Sequence, residues 1–581
     1  MAPAPPATAV PQMFRHSTQL RALCDRSTGN ADFARRGRLL VENGRLELGP
    51  FAAVPLTQFG DWEANPLDNR SWQWRLNWLS FLPYLLAYHR ESGDVRAMQK
   101  AFAAARSWLD HFGAPDASHP FEFAWHDHAT ALRLEQLALL VHYAEAHGLW
   151  PEDDGRATSR ALCVACAQHA ELLFDDRFFS RHTNHGLEQA RVLLLVATAL
   201  QTGEYDRPAR WRQRALERIE GELRHAFTDE GVHVENSPAY HNFVFKLFLG
   251  IFRDYPTESL GPLGQWLSEV GPRALDFLTR VLRPDGLLPI IGDTEALPVT
   301  DGFKAVFDAD PAYEHFRYAI SFGRAGTAPQ PASRIWPRSG YAVLRSEWPP
   351  ATGYRRALHV VFKAGASSQY HRQQDDGHLV LYNEGEDWLI DSGMFGYDKE
   401  SPIRQYVRSR WGHNVVVLDR AATGQRELAP TASWRILAHS GDAVHPFVVA
   451  RSEAYANVAM TRRVALARQR TLRVEDMVSA ADGQSFNASF LWHVPADKQI
   501  EILDSAEVLV RSTRTARMMR LRVQGDLPDK VDCRSGVRKD RVLSVVSKCA
   551  NSYDESQVLV FSALQRTNIF LLFEFSFEVR P

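Results

Sequence analysis

Cysteine is scarce: Cys24, Cys163, Cys166, Cys533 and Cys549 are the five in 581 residues. That is too few for a disulfide framework. Cys163, Cys166 and His169 imitate a metal or redox spacing, but they lie in a helical stretch with no second cysteine pair nearby, so packed helix cysteines are the expectation. Long apolar runs are missing too. None approaches the roughly 18 residues that a membrane-spanning helix needs, so no membrane span is expected. Neither charge dominates, with 67 Lys and Arg against 69 Asp and Glu; nothing global favours nucleic acid or a membrane surface. An acidic polymer would have to meet a locally basic site. The first 16 residues are rich in Pro and Ala but have no basic or apolar segment of a secretory signal, and a disordered leader is expected. The chain as it stands reads as cytoplasmic, or as periplasmic or secreted if a signal once preceded it. Oligomeric state is not legible.

What is present divides into two textures. Between about 70 and 285, segments such as Trp72–His89, Asp127–His147, Ser159–Leu173 and Leu187–Leu200 carry apolar residues at three- and four-residue spacing. Breakers such as Gly113, Gly148, Pro151, Gly203 and Pro208 separate them. Roughly four antiparallel helix pairs, at a spacing of roughly 55 residues, predict a curved array or toroid. From about 336 the period becomes two: residues 340–345, 358–362, 379–382, 388–390, 414–418, 471–474 and 570–575 all read as strands of an antiparallel sandwich. The expected organisation is a leader with first helices over 1–60, a helical toroid over 61–335 and an antiparallel β-sandwich over 336–581, with 286–335 as the crossing.

Four polar clusters stand out. Thr183-Asn184-His185-Gly186-Leu187-Glu188 precedes an apolar helix, and its plain reading is a helix start with Asn184 as N-cap. In Glu235-Asn236-Ser237-Pro238-Ala239-Tyr240-His241, Ser237 and Pro238 form an N-cap and N1 pair, which puts Tyr240 in the first turn near positive backbone dipoles. Residues 368–378 crowd His371, Arg372, Asp375, Asp376 and His378 into one strand connection, where catalytic groups commonly sit. Residues 406–414, with Asp391 and His413, offer a carboxylate and an imidazole suited to zinc or a similar ion. Two ligands alone do not make a site.

In their order and spacing from about 60 to 580, these clusters resemble the heparinase II/III-like polysaccharide lyases. Residues 125–133, from Trp125 to Arg133, look like that family's helical-domain motif; Asn184, His185, Glu188 and Tyr240 resemble its catalytic residues; the run from His371 to Asp391, followed by His413 and Asn414, looks like its β-domain signature. The resemblance implies an N-terminal (α/α) toroid, an antiparallel β-sandwich, a cleft between them, and β-elimination on a uronic-acid polymer. One departure stands out: Gln373 occupies the place of a histidine that often ligates zinc with the later Asp391 and His413. No cofactor is expected for the chemistry, and a structural zinc-like ion is doubtful for that reason.

The resemblance also implies roles. Asn184 and His185 would steady the uronate carboxylate, although His185 as a base is also open. Tyr240 would protonate the leaving oxygen, doing both proton transfers in a syn elimination, with His371 as the base in an anti one. Glu188, Arg133, Arg410, Trp125 and His126 are the candidate substrate contacts, Trp125 being as well suited to core packing. Heparan sulfate, hyaluronan, chondroitin, alginate and bacterial exopolysaccharides all remain open as substrates. A glycoside hydrolase, with carboxylates drawn from Asp127, Glu188 and Glu235, is the first alternative; a non-catalytic carbohydrate-binding protein is the second.

Overall fold

The computed structural model describes residues 13–56, 58–115, 119–151, 154–200, 206–396, 398–419, 434–455, 457–467, 470–539 and 541–579. Most of the Pro- and Ala-rich leader and the breaker Gly203 lie outside them. The chain forms two compact units, Met1–His225 with Ile251–Gly264, and Ala226–Gly250 with Gln265–Pro581.

The first unit is helical. Its central helix, Asp127–His147, is buried on nearly every side and packs against Gly155–Phe174 and Asn184–Ala199. A helix apolar all round belongs inside a bundle of others. Gly148 ends it in the left-handed conformation that glycine tolerates best, its N–H returning to the carbonyl of Ala144. The segment read as one helix over Trp72–His89 is two, Arg70–Asn77 and Leu82–Ser92. The break falls at Leu79, whose φ of 60° no helix accepts, and Pro83 opens the second helix where a missing N–H costs nothing.

The second unit carries antiparallel sheets of eight, six and five strands. In the eight-stranded sheet, Asn568–Val579 lies between Arg517–Gly525 and Thr471–Ala480. Its alternate residues Ile569, Leu571, Phe573 and Phe575 point inward. They meet Phe490, Trp492 and Phe561 of the six-stranded sheet: the Trp492 ring sits 5.2 Å from Phe573 and 5.0 Å from Phe575. Face-to-face interlocking of this kind makes a sandwich. Residues 286–335 are more than a crossing; they hold the helices Lys304–Phe307 and Pro311–Ile320 and belong to this second unit.

The five-stranded sheet positions the loop that matters most. His359–Lys363 pairs with His378–Asn383, and residues 364–377 connect them. Lys363, fully buried, reaches back 2.7 Å to Asp375, while Asp376 accepts from the Gly365 N–H at 3.1 Å and from Arg372 at 2.6 Å. The two aspartates of this acidic-looking loop therefore pin its base.

Candidate active site

In the second unit, Ser237 caps the helix Pro238–Asp254: its Oγ accepts from the Tyr240 N–H at 3.3 Å. Tyr240 thus sits in the first turn. Just before it, Asn236 adopts a left-handed φ of 59° and donates from Nδ2 to the carbonyls of Ser368 and Tyr370, each at 3.0 Å. That amide ties the helix start to the 368–371 stretch. Gly292 permits the close approach; a Cβ there would lie 2.4 Å from the Asn236 carbonyl oxygen.

The consequence is a direct meeting of the two proposed proton-transfer groups. The rings of Tyr240 and His371 stack with centroids 3.6 Å apart and planes at 21°. His371 also has a left-handed φ, 52°, a strained setting for a side chain and one that concentrates at functional positions. Its Nδ1 lies 3.0 Å from Asp293 Oδ2, and its Nε2 lies 3.5 Å from Glu235 Oε2. Asp293 further accepts from Arg404 at 3.0 and 3.2 Å and from Gln373 Nε2 at 2.8 Å. Burial pushes its carboxyl up, but these hydrogen bonds and the Arg404 charge outweigh that and bring it down to about 2. An Asp293 anion on Nδ1 fixes the neutral ring with its proton there, leaving Nε2 as the proton-accepting atom. Burial raises the carboxyl of Glu235, and His371 opposes the rise.

The first unit repeats the pairing. Thr183, not Asn184, is the N-cap of Asn184–Ala199, its hydroxyl accepting from the Gly186 N–H at 3.1 Å; threonine precedes the first helical residue and Asn184 is that residue. His185 Nδ1 lies 3.1 Å from Asp127 Oδ2, and His126 Nδ1 lies 2.9 Å from Asp127 Oδ1. The Ser180 hydroxyl also donates to Asp127. Burial opposes ionisation of Asp127, yet hydrogen bonds from His126, His185 and Ser180 hold it far below the usual carboxylate range. The His128 ring stacks on His185 at 4.4 Å, and burial lowers its imidazole to about 4.

Several expected substrate contacts are occupied elsewhere. Arg133 is fully buried over Trp108, with centroid distance 3.6 Å, and spends its donors on His169 Nε2 and the carbonyls of Asn77 and Ala124. A guanidinium so enclosed cannot meet a polymer, and its assignment to substrate anions is corrected. Trp125 packs in the core against Trp108 and His169. Glu188 is buried in an ion pair with Arg191 at 2.7 Å, and Arg191 also binds Glu135 at 2.5 Å. Arg410 is different: it is buried with its guanidinium 5.2 Å from the Tyr455 ring centroid, and its Nε and Nη1 have no hydrogen-bond partner among the described residues. Of the carboxylates weighed for hydrolysis, Asp127 and Glu188 are thus already committed.

Asp391 and His413 do come together, but the third member of their group is His378. His378 Nε2 and His413 Nδ1 lie 2.8 and 3.0 Å from Asp391 Oδ2, all three fully buried. Gln373 is elsewhere, on Asp293. The donor chemistry fits a divalent ion poorly. The Asn414 N–H donates to His378 Nδ1 at 2.8 Å, which leaves the neutral ring's proton on Nε2, aimed at Asp391. Only Asp391 and His413 then remain as ligands, their own hydrogen bond giving way to the ion, and structural zinc takes four ligands.

The sequence reading did not select Asp293 or Arg404. The only signal for Asp293 is a Gly-Asp-Thr step after Leu288-Pro289-Ile290-Ile291, a polar break in an apolar run. The model of the Heparinase II/III N-terminus matches residues 54–318, and that of the Heparinase II/III-like C-terminal region matches residues 328–561. The chain belongs to the heparinase II/III-like family. Curated relatives include the heparin-sulfate lyase of Bacteroides thetaiotaomicron, 23% identical over 465 residues that span 74% of this chain and 62% of that protein. Another is the heparin-sulfate lyase of Pedobacter heparinus, 21% identical over 376 residues, 62% of this chain and 54% of that protein. The chain therefore spans less than two thirds of the length of these relatives. Among solved structures, a heparinase III matches with TM-score 0.75 at 15% identity, covering 97% of this chain and 90% of that one. The heparan sulfate lyase HepC of Pedobacter heparinus matches with TM-score 0.71 at 17% identity over 97% and 88%. This heparinase II/III-like chain shares their architecture, a helical toroid followed by an antiparallel β-sandwich.

Proposed function

We propose that this heparinase II/III-like protein is a polysaccharide lyase that cleaves a uronic-acid polymer of glycosaminoglycan type by β-elimination. The observation that carries the reading is the Tyr240–His371 stack, 3.6 Å between centroids, with Asp293 on His371 Nδ1. The naming of two curated relatives as heparin-sulfate lyases supports the polymer class.

In the proposed reaction the C5–H bond of the uronate breaks, its electron pair forms the C4=C5 double bond, and the C4–O4 bond breaks. The neutral phenol of Tyr240 gives its proton to O4. An unperturbed phenol, with pKa about 10, carries that proton at neutral pH. His371 Nε2 takes the C5 proton where the two groups leave from opposite faces of the ring; where they share a face, Tyr240 enters as the phenolate, takes the C5 proton and passes it on to O4. The developing dianion on the C5 carboxylate needs donors that bind it better than the ground state, and the reading gives this task to Asn184 and His185. No metal enters the chemistry: His378, Asp391 and His413 are assigned a hydrogen-bonded structural role.

The test is a panel of heparan sulfate, hyaluronan, chondroitin and alginate, followed by the ultraviolet band of the unsaturated uronate. Product from at least one glycosaminoglycan is expected. Saturated ends carrying oxygen from water would replace the lyase by a hydrolase, and binding without product from any polymer would leave only a carbohydrate-binding protein.

A further inference from the structure

The helical unit carries a partly open cavity of about 380 Å³, bounded by residues from 23–49, 75–84 and 135–139. Its polar groups are unusual in lacking partners. Ser80 and Gln136 are 4% and 5% exposed. Ser80 Oγ, Gln136 Oε1 and the indole Nε1 of Trp78 have no hydrogen-bond partner among the described residues. Buried polar atoms left so cost about 1–3 kcal/mol each unless something fills the space, and three around one cavity point to a polar occupant.

The charges of the wall select its sign. Asp32 is held by Arg35 and Arg36, Arg36 also reaches the Gly49 carbonyl, and Glu135 lies against Arg191, a cation that it shares with Glu188. Arg75 has no acidic partner among the described residues. It lies against Gly49, where a Cβ would come within 3.0 Å of the guanidinium. One side of the cavity is apolar, formed by the Phe33 and Tyr84 rings, 4.8 Å apart, with Pro83.

We propose that this cavity is a binding site for one acidic sugar unit, distinct from the Tyr240–His371 pair. Arg75 and the Trp78 N–H bind the sugar's carboxylate or sulfate, the Gln136 carbonyl accepts from a hydroxyl, Ser80 serves either sense, and the Phe33–Tyr84 wall covers the apolar ring face. The choice of an acidic sugar over another small anion rests on the lyase reading; the cavity's preference for a polar anion does not.

The full chain is titrated by ligand-observed NMR with D-glucuronate, D-glucose and inorganic sulfate, as wild type and as Arg75→Gln, Gln136→Met and Trp78→Phe, with thermal melts to show which variants fold. Glucuronate binding should be saturable, and glucose at least about tenfold weaker. Arg75→Gln should weaken glucuronate about tenfold, the loss of one charge-assisted hydrogen bond, and Gln136→Met should weaken it as well. Should Arg75→Gln fail to fold, Trp78→Phe removes a single N–H and reads the same loss. Glucuronate binding indifferent to all folded variants, or sulfate binding as tightly as glucuronate, overturns the proposal. Polymer cleavage with no glucuronate site sinks this inference alone; a variant-sensitive glucuronate site with no unsaturated product from any polymer sinks the lyase reading alone.

Discussion

Replacing Asp293 by asparagine keeps the shape of the side chain and removes its charge, and three neighbours feel the loss. The carboxylate accepts from His371 Nδ1 at 3.0 Å, Gln373 Nε2 at 2.8 Å and both terminal nitrogens of Arg404 at 3.0 and 3.2 Å. Arg404 is 4% exposed. Stripping a buried cation of its carboxylate costs about 3–5 kcal/mol, and an amide also aims two N–H groups where acceptors stood. The wild-type pH dependence gives a second figure. The Asp293 carboxyl falls from 3.8 to about 2 on folding, worth about 2.5 kcal/mol at about 1.4 kcal/mol per pH unit. Because the folded value is the lower one, that stability is fully present above about pH 4 and drains away as pH falls toward 2. Melting curves of wild type and Asp293→Asn at pH 7 and at pH 3 should therefore differ less at the lower pH. Turnover of an iduronate-type link, where His371 is the base, should drop about a hundredfold in kcat with a smaller change in KM, since the base is mis-set and substrate binding is not. A folded Asp293→Asn protein with wild-type kcat and the wild-type acid profile refutes the reasoning.

Tyr240→Phe should melt close to wild type and lose about 10²–10⁴ in kcat, the usual weight of a positioned proton-transfer group; undiminished product formation removes the proposed acid. Arg133→Met should lower stability by about 2–4 kcal/mol, because the Asn77 and Ala124 carbonyls lose their donors, and should leave KM unchanged; an unaltered melt with a raised KM would return Arg133 to the substrate. Exhaustive chelation should change neither melting nor turnover, and elemental analysis should find well under one zinc per chain; stoichiometric zinc whose removal unfolds the protein would overturn the hydrogen-bonded assignment of His378, Asp391 and His413.

Periodicity located the elements well because burial is strongly patterned: Asp127–His147 and the alternation of Asn568–Val579 both follow from which residues face the core. It failed at Trp72–His89, where the apolar spacing runs straight through a break set by Leu79's backbone. Tyr240 was legible from the Ser237-Pro238 cap, a local signal. Asp293 was not, since its meaning comes from partners 78, 80 and 111 residues away. Arg133 misled for a related reason: charge in a sequence suggests a surface or a substrate, and nothing local reveals that His169 and two carbonyls enclose it. Gln373 was read as a lost ligand; its amide instead helps hold the carboxylate that orients His371.

Each unit thus holds an imidazole whose Nδ1 faces a carboxylate kept ionised by several donors: Asp127 for His185 and Asp293 for His371. In both, Nε2 is the atom assigned to act, with Glu235 3.5 Å from that of His371, but the two assigned tasks need opposite states of it. His371 accepts a proton only as the singly protonated ring. His185, with its first proton on Asp127, can donate to a uronate carboxylate only as the doubly protonated ring. His128, stacked 4.4 Å from His185 and lowered to about 4, is neutral at working pH and adds no competing positive charge. A neutral His185 would present a lone pair to the carboxylate and leave the donor's task to Asn184 alone. Anti elimination makes His371 indispensable, so His371→Ala should abolish turnover of an iduronate-type link. Syn elimination by Tyr240 drops the requirement on His371, and the same variant should then keep its turnover of a glucuronate link.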